Sequence, residues 1–151
     1  MNTRISYVEF GQSGADTLKA LRALSQSALD RGLDKTISEL IKLRVSQINC
    51  CAFCIAYHLK MLRSLQVDPA KLDTVVAWRE AALFSEAEQA ALTWAEELTL
   101  MAGAAPREET KAALAAHFTP EQIIGLNISI ASINAWNRLA VAMGFTPADV
   151  G

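Results

Sequence analysis

Aromatic residues make up only 7% of this 151-residue chain, and charged residues only 20%. Four prolines and seven glycines are too few for a loop-rich or low-complexity polymer. No lysine or arginine cluster stands out and the net charge is −2, so the basic footprint of a nucleic-acid binder is missing. A basic amphipathic segment suited to anionic membrane is missing too. The opening "MNTRISYVEFGQSG" has no apolar h-region, which argues against a secretory signal. The longest uncharged apolar stretch, 123–137, is too short to span a bilayer and carries Asn127, Ser129, Ser132 and Asn134. These absences point to a cytoplasmic protein without nucleic-acid or membrane partners, in which the sequon at Asn127 has no glycosylation meaning.

What is present is apolar and helical. Hydrophobic residues reach 52%, too many for disorder. The length suits a single domain over residues 1–151 with a sizeable core. Apolar residues recur at helical spacing nearly throughout, with no alternating strand pattern and no repeat, so the expected class is all-α.

Capping residues divide the chain into six to seven helices. The first is expected over about Ala15–Ala28, ending where Gly32 can take a left-handed conformation. Asp34 or Thr36 caps a second that runs to about Gln47. Asn49 looks like a break, and a third helix covers about Cys50–Leu65. Asp68 with Pro69 opens a short fourth, and Ser85 with Glu88 a fifth that ends at 103–106. A sixth covers about Arg107–His117, where His117 suits the C-terminal dipole. Thr119-Pro120-Glu121 starts a long seventh, reaching Met143 before Gly144.

That last helix is apolar on almost all sides, the pattern of a helix at the centre of a bundle or covered by another subunit. Its Asn127, Asn134 and Arg138 are spaced by seven and four, and so share one side. They read either as a buried polar network or as a polar wall facing a site or a subunit contact. Trp78, Trp94 and Trp136 read as core or interface residues.

All three cysteines and one of the two histidines lie within "NCCAFCIAYH", residues 49–58. On a helical wheel Cys51, Cys54 and His58 share a stripe with Ile55, Met61 and Leu62, while Lys60 and Arg63 fall opposite. Cys51 and Cys54, three apart, can close a disulfide with modest adjustment at a helix start. His58, four beyond Cys54, can take its proton. The helix dipole favours the Cys51 anion more than that of Cys54. A thiolate with a second thiol in reach can attack a peroxide and be resolved as a disulfide. Two other readings compete: inert core cysteines beside a satisfied histidine, and a structural zinc site, for which one straight helical turn is a poor tetrahedral cage. Cys50, four before Cys54, is the remaining thiol and an alternative resolving partner if the helix starts early.

A base behind the histidine is less obvious. In one continuous helix Glu39 would stand about 18 Å from Cys51. A hairpin breaking at Asn49 brings it level with His58, ten residues before the break against nine after. The wheel alone places Glu39 at the edge of its apolar stripe, as a solvated carboxylate.

The stretch "ELIKLRVSQINCCAFCIAYHLKMLRSL", with Glu39 and then Cys51-x-x-Cys54-x-x-x-His58, closely resembles the core of the AhpD-like alkylhydroperoxidases within the carboxymuconolactone decarboxylase superfamily. The resemblance continues through "AWRE" at 77–80 and "SINAWNRLA" at 132–140. It implies an all-helical bundle with a helix hairpin carrying the CxxC site, assembled as homotrimers or homohexamers. The implied activity is a thiol peroxidase or disulfide reductase that needs no haem, flavin or metal cofactor. Cys54 would be the peroxidatic thiol and Cys51 the resolving one. His58 and Glu39 would form the proton relay, and electrons would come from a dithiol donor such as a lipoylated protein. Cys50 is an extra thiol relative to that pattern, and Phe53 stands where well-characterised members can carry a histidine. The chain is also shorter than the two-repeat alkylhydroperoxidases. The decarboxylase branch lacks the cysteine pair, which argues against lactone decarboxylation.

Overall fold

The structure is a computed structural model describing residues 4–151. The first three residues of the N-terminal stretch read above lie outside the described residues. Among the described residues all regular structure is helical: α1 (Tyr7–Ser13), α2 (Ala15–Leu29), α3 (Lys35–Ile48), α4 (Ala52–Ser64), α5 (Pro69–Thr74), α6 (Trp78–Ala81), α7 (Glu86–Thr99), α8 (Glu108–His117) and α9 (Pro120–Met143). Short 3-10 turns at Val75–Ala77 and Pro147–Val150 complete it. None of these helices is long and apolar enough to cross a membrane.

The capping signals act as the sequence implies. Asp34 accepts from the Ile37 N–H, Asp68 from Ala70, and Ser85 and Glu88 form a reciprocal capping box at α7. Thr119 and Gln122 do the same at α9, with Pro120 at its first position and Gly144 closing it at φ 75°. The helix count is higher than the six to seven expected, through two short elements. Ser6 and Glu9 box the start of α1, which buries Phe10, and α6 interrupts the segment between α5 and α7. Their brevity hides them from a periodicity argument, since one or two turns show no repeat.

The helix α9 is central, packing on α2, α3, α4, α7 and α8. It buries Leu126, Ile130, Ile133 and Ala140 and leaves Ile124 and Val141 exposed. Polar links tie it to its neighbours: Ser129 to Ser38 of α3 at 2.8 Å, and Ser132 to Ser25 of α2 at 2.6 Å. Gly125 permits the closest approach, because a Cβ there would stand 2.7 Å from the Ala28 carbonyl oxygen. Along α3 the buried residues lie on several sides, since α4, α7 and α9 all cover it. That enclosure overrides the amphipathic reading of α3 and takes Glu39, 5% exposed, out of solvent.

Candidate active site

The hairpin α3–α4 turns at 49–51, as the break at Asn49 implies. The Asn49 N–H caps the end of α3, and the Cys51 N–H bonds the Ser46 carbonyl. Cys50 takes a left-handed conformation, φ 53°, and lies exposed with its Sγ toward the Ile48 carbonyl. It therefore precedes α4 and is not on the helix's inner face. The expected start at Cys50 moves to Ala52, and Cys51 becomes the N-cap. The Cys51 Sγ accepts the Cys54 N–H at 3.3 Å, so one of the paired thiols also caps the start of the helix.

Both sulfurs are buried and free of a disulfide. They lie 2.6 Å apart, with the Cys54 thiol donating to Cys51 when Cys51 carries the charge. That hydrogen bond, opposed by burial and helped by the Cys54 N–H and the Asn137 amide, brings the Cys51 thiol down to about 7. The same bond, with burial and the neighbouring charge, pushes Cys54 up. The pair thus holds one proton and one negative charge near neutral pH.

A histidine–carboxylate contact spans the hairpin. His58 Nδ1 lies 2.7 Å from Glu39 Oε2, and Lys42 Nζ donates to Glu39 Oε1 at 3.1 Å. The solvated reading of Glu39 is overturned, because the packing of α3 against α4 closes over it. Burial works to raise the Glu39 carboxyl, but His58 and Lys42 together outweigh it and hold the group at about 2. Burial pushes the His58 imidazole below its ordinary value, against the pull of Glu39. The neutral ring then donates Nδ1–H to the carboxylate, which leaves Nε2 as the acceptor. Nε2 has no protein partner among the described residues, and none of their fully buried side-chain nitrogens lacks one, so it opens onto the adjoining cavity.

That cavity, about 350 Å³, is lined by Cys54, His58 and Glu39 but not by Cys51 or Cys50. Phe53, Trp136 and Ile133 form part of its apolar wall. The Tyr57 ring meets His58 edge-on at 5.3 Å. No hydrogen bond joins His58 to Cys54, so a proton passing between them needs an intervening water or a substrate oxygen.

The structure brings together all four residues read from the sequence: Glu39, Cys51, Cys54 and His58. It does not bring in the polar side of α9 as read. Asn127 is exposed and accepts from Trp94 Nε1 at 2.7 Å, and Arg138 is exposed. Asn134 is half-buried and accepts from Asn49. Two residues escaped the sequence reading. Lys42 is buried on α3 beside Glu39. Asn137, 1% exposed, accepts from Asn49 at 2.9 Å, donates to Ser46 Oγ at 3.0 Å and reaches both thiols. An asparagine inside an otherwise apolar helix is the signal that could have found it. Among the described residues no three of His, Cys, Asp and Glu gather as a metal-ligand set.

The family model described as the carboxymuconolactone decarboxylase family matches residues 15–97, the span that holds α2, the cysteine hairpin and most of α7. The chain belongs to that family, and within it to the AhpD-like group. A family relative is the uncharacterized protein YdfG of Bacillus subtilis (strain 168), 34% identical over 95% of this chain and 96% of its own. Another is the uncharacterized protein YnjA of Escherichia coli (strain K12), 29% identical over 74% of this chain and 60% of its own length. Among solved structures, a protein of unknown function from Agrobacterium tumefaciens, provisionally described as the antioxidant defence protein AhpD, superposes with a TM-score of 0.86. It is 34% identical over 95% of this chain and 96% of that one. An uncharacterized peroxidase-related protein from Ralstonia eutropha JMP134, described as an alkylhydroperoxidase AhpD core, gives 0.75 at 26% identity, covering 86% of this chain and 70% of that one. The family's all-helical fold is the fold of this chain.

Proposed function

We propose that this AhpD-like chain is a thiol-dependent peroxidase that reduces organic hydroperoxides or hydrogen peroxide through a Cys51/Cys54 dithiol–disulfide cycle. One observation carries the reading: Cys54 faces the cavity beside His58, while its sulfur touches that of Cys51 behind it.

The geometry supports the following order of events. Ionisation favours charge on Cys51, but a peroxide in the cavity meets only Cys54. One proton shared between sulfurs 2.6 Å apart reconciles the two: with the proton on Cys51, the negative charge sits on Cys54. Cys54 Sγ attacks the nearer peroxide oxygen, the S–O bond forms and the O–O bond breaks. The departing alkoxide takes the proton that Cys51 gives up, relayed through water and His58 Nε2, with Glu39 holding the ring in the tautomer that leaves Nε2 able to accept it. The thiolate left on Cys51 displaces hydroxide from the Cys54 sulfenic acid, and a solvent proton converts it to water. An external dithiol, such as a lipoyl group on a carrier protein, reduces the disulfide and is itself oxidised.

The test is steady-state consumption of cumene hydroperoxide with a dithiol reductant. Cys54→Ser is expected to abolish turnover. Cys51→Ser is expected to stop after one event, with a sulfenic acid on Cys54. Normal turnover in the double variant would overturn the mechanism. A pair that reduces small disulfides but not peroxides would instead mark a disulfide reductase.

A further inference from the structure

The cavity beside Cys54 is larger and more cationic than peroxide chemistry requires. At about 350 Å³ it falls in the range that holds small organic ligands, and hydrogen peroxide would fill only a small part of it. Leu29, Ile133 and Trp136 supply apolar wall. Three cations line the same space, Arg22, Lys35 and Lys42, against one carboxylate, Glu39. That carboxylate is fully engaged by Lys42 and His58. Arg22 and Lys35 have no carboxylate partner among the described residues; Arg22 donates only to the Tyr7 hydroxyl, at 3.1 Å. Two uncompensated positive charges at the border of an apolar chamber attract an anion that carries its own apolar body.

We propose that the cavity selects organic hydroperoxides bearing a carboxylate, with the anionic end at Arg22 and Lys35, the hydrocarbon against Trp136 and Ile133, and the peroxide at Cys54. This rests on the peroxidase reading of the same site. The chemistry is unchanged, and the two cations act as specificity determinants. Both sit on the exposed border, so their attraction is screened by salt and modest per charge.

The test compares a medium-chain aliphatic hydroperoxide carrying a free carboxylate with its methyl ester. The expected kcat/KM ratio is about fivefold or more in favour of the acid at low ionic strength, shrinking as salt is added. Arg22→Gln with Lys35→Gln should bring the ratio close to one, whereas Arg22→Lys should keep it. Lys19→Gln, which removes a charge from α2 outside the cavity, should leave the ratio at its wild-type value. In parallel, binding of an unreactive medium-chain fatty acid and its methyl ester is measured by calorimetry on the reduced protein. A charge-dependent preference for the acid without any peroxide turnover would uphold the anion site and defeat the peroxidase reading. Equal binding and equal turnover of acid and ester, or a preference untouched in the double variant, would overturn the proposal and leave the peroxidase reading intact.

Discussion

Nδ1 of His58 and Oε2 of Glu39 lie 2.7 Å apart, although nineteen residues and a chain reversal separate them in sequence. The contact fixes a neutral imidazole with Nε2 toward the cavity. It joins the two arms of the hairpin at the level of the thiols and couples the stability of the fold to the readiness of the site.

Glu39→Gln keeps the volume and removes the charge. Peroxidase kcat/KM is expected to fall by about 10²-fold or more, the scale of a positioned acid–base group. The variant also leaves Lys42 without its anion, and breaking a buried pair from one side costs about 3–5 kcal/mol. Adding Lys42→Met should recover much of the melting temperature without recovering activity. Recovery of both would show that Glu39 has no part in the relay.

Acid should destabilise the protein in two stages. His58 is held below 6.5 by burial, so protons bind the unfolded state more readily and stability declines as the pH drops from about 6.5. Glu39, held at about 2 against 4.5, adds a second loss as the pH falls below about 4.5, of up to about 3 kcal/mol. Melting curves between pH 8 and pH 3 would display both. Glu39→Gln is expected to remove the lower stage.

Single-cysteine proteins should titrate differently from the pair. In Cys54→Ala the Cys51 thiol is expected to rise above about 7, because the hydrogen bond that lowers it most is gone. In Cys51→Ala the Cys54 thiol is expected to fall from its raised value, since the Cys51 bond and charge are what push it up. Thiolate absorbance against pH measures both. Titrations that do not depend on the partner would show that the sulfurs do not share a proton.

Asn137→Ala removes the amide that reaches both thiols and takes one hydrogen bond each from Asn49 and Ser46, which keep Asn134 and the Lys42 carbonyl. The expected cost is about 1–3 kcal/mol of stability. The Cys51 thiol should also move up, because the amide is one of the groups that lower it. Asn137→Asp, which keeps the shape but presents an anion to the thiols, should raise the Cys51 titration further. A stability loss without any change in titration would make Asn137 purely structural.

Much of the bundle and of the site was legible in the chain. Capping residues marked the starts of α3, α5, α7 and α9 because a cap is a local hydrogen bond between near neighbours. Asn49 marked the reversal. The spacing of Cys51, Cys54 and His58 put them on one face, because positions three and four apart meet on any helix. Short α1 and α6 escaped, since one or two turns have no period to read. The exact start of α4 also escaped: a left-handed Cys50 and an N-cap Cys51 are set by how α3 hands over to α4, not by the residues' own preferences.

By itself, then, the sequence determined an all-α chain with two thiols and an imidazole on one inward face. The tertiary structure decided what surrounds them. Only the closure of α4, α7 and α9 around α3 buries Glu39 and aims it at His58. Only the seating of α9 brings Asn137 to the sulfurs and Trp136 to the cavity. The physical reason is range. Caps and helical faces are fixed by residues a turn apart, whereas burial, the sharing of a proton and access to Cys54 depend on which distant helices pack together.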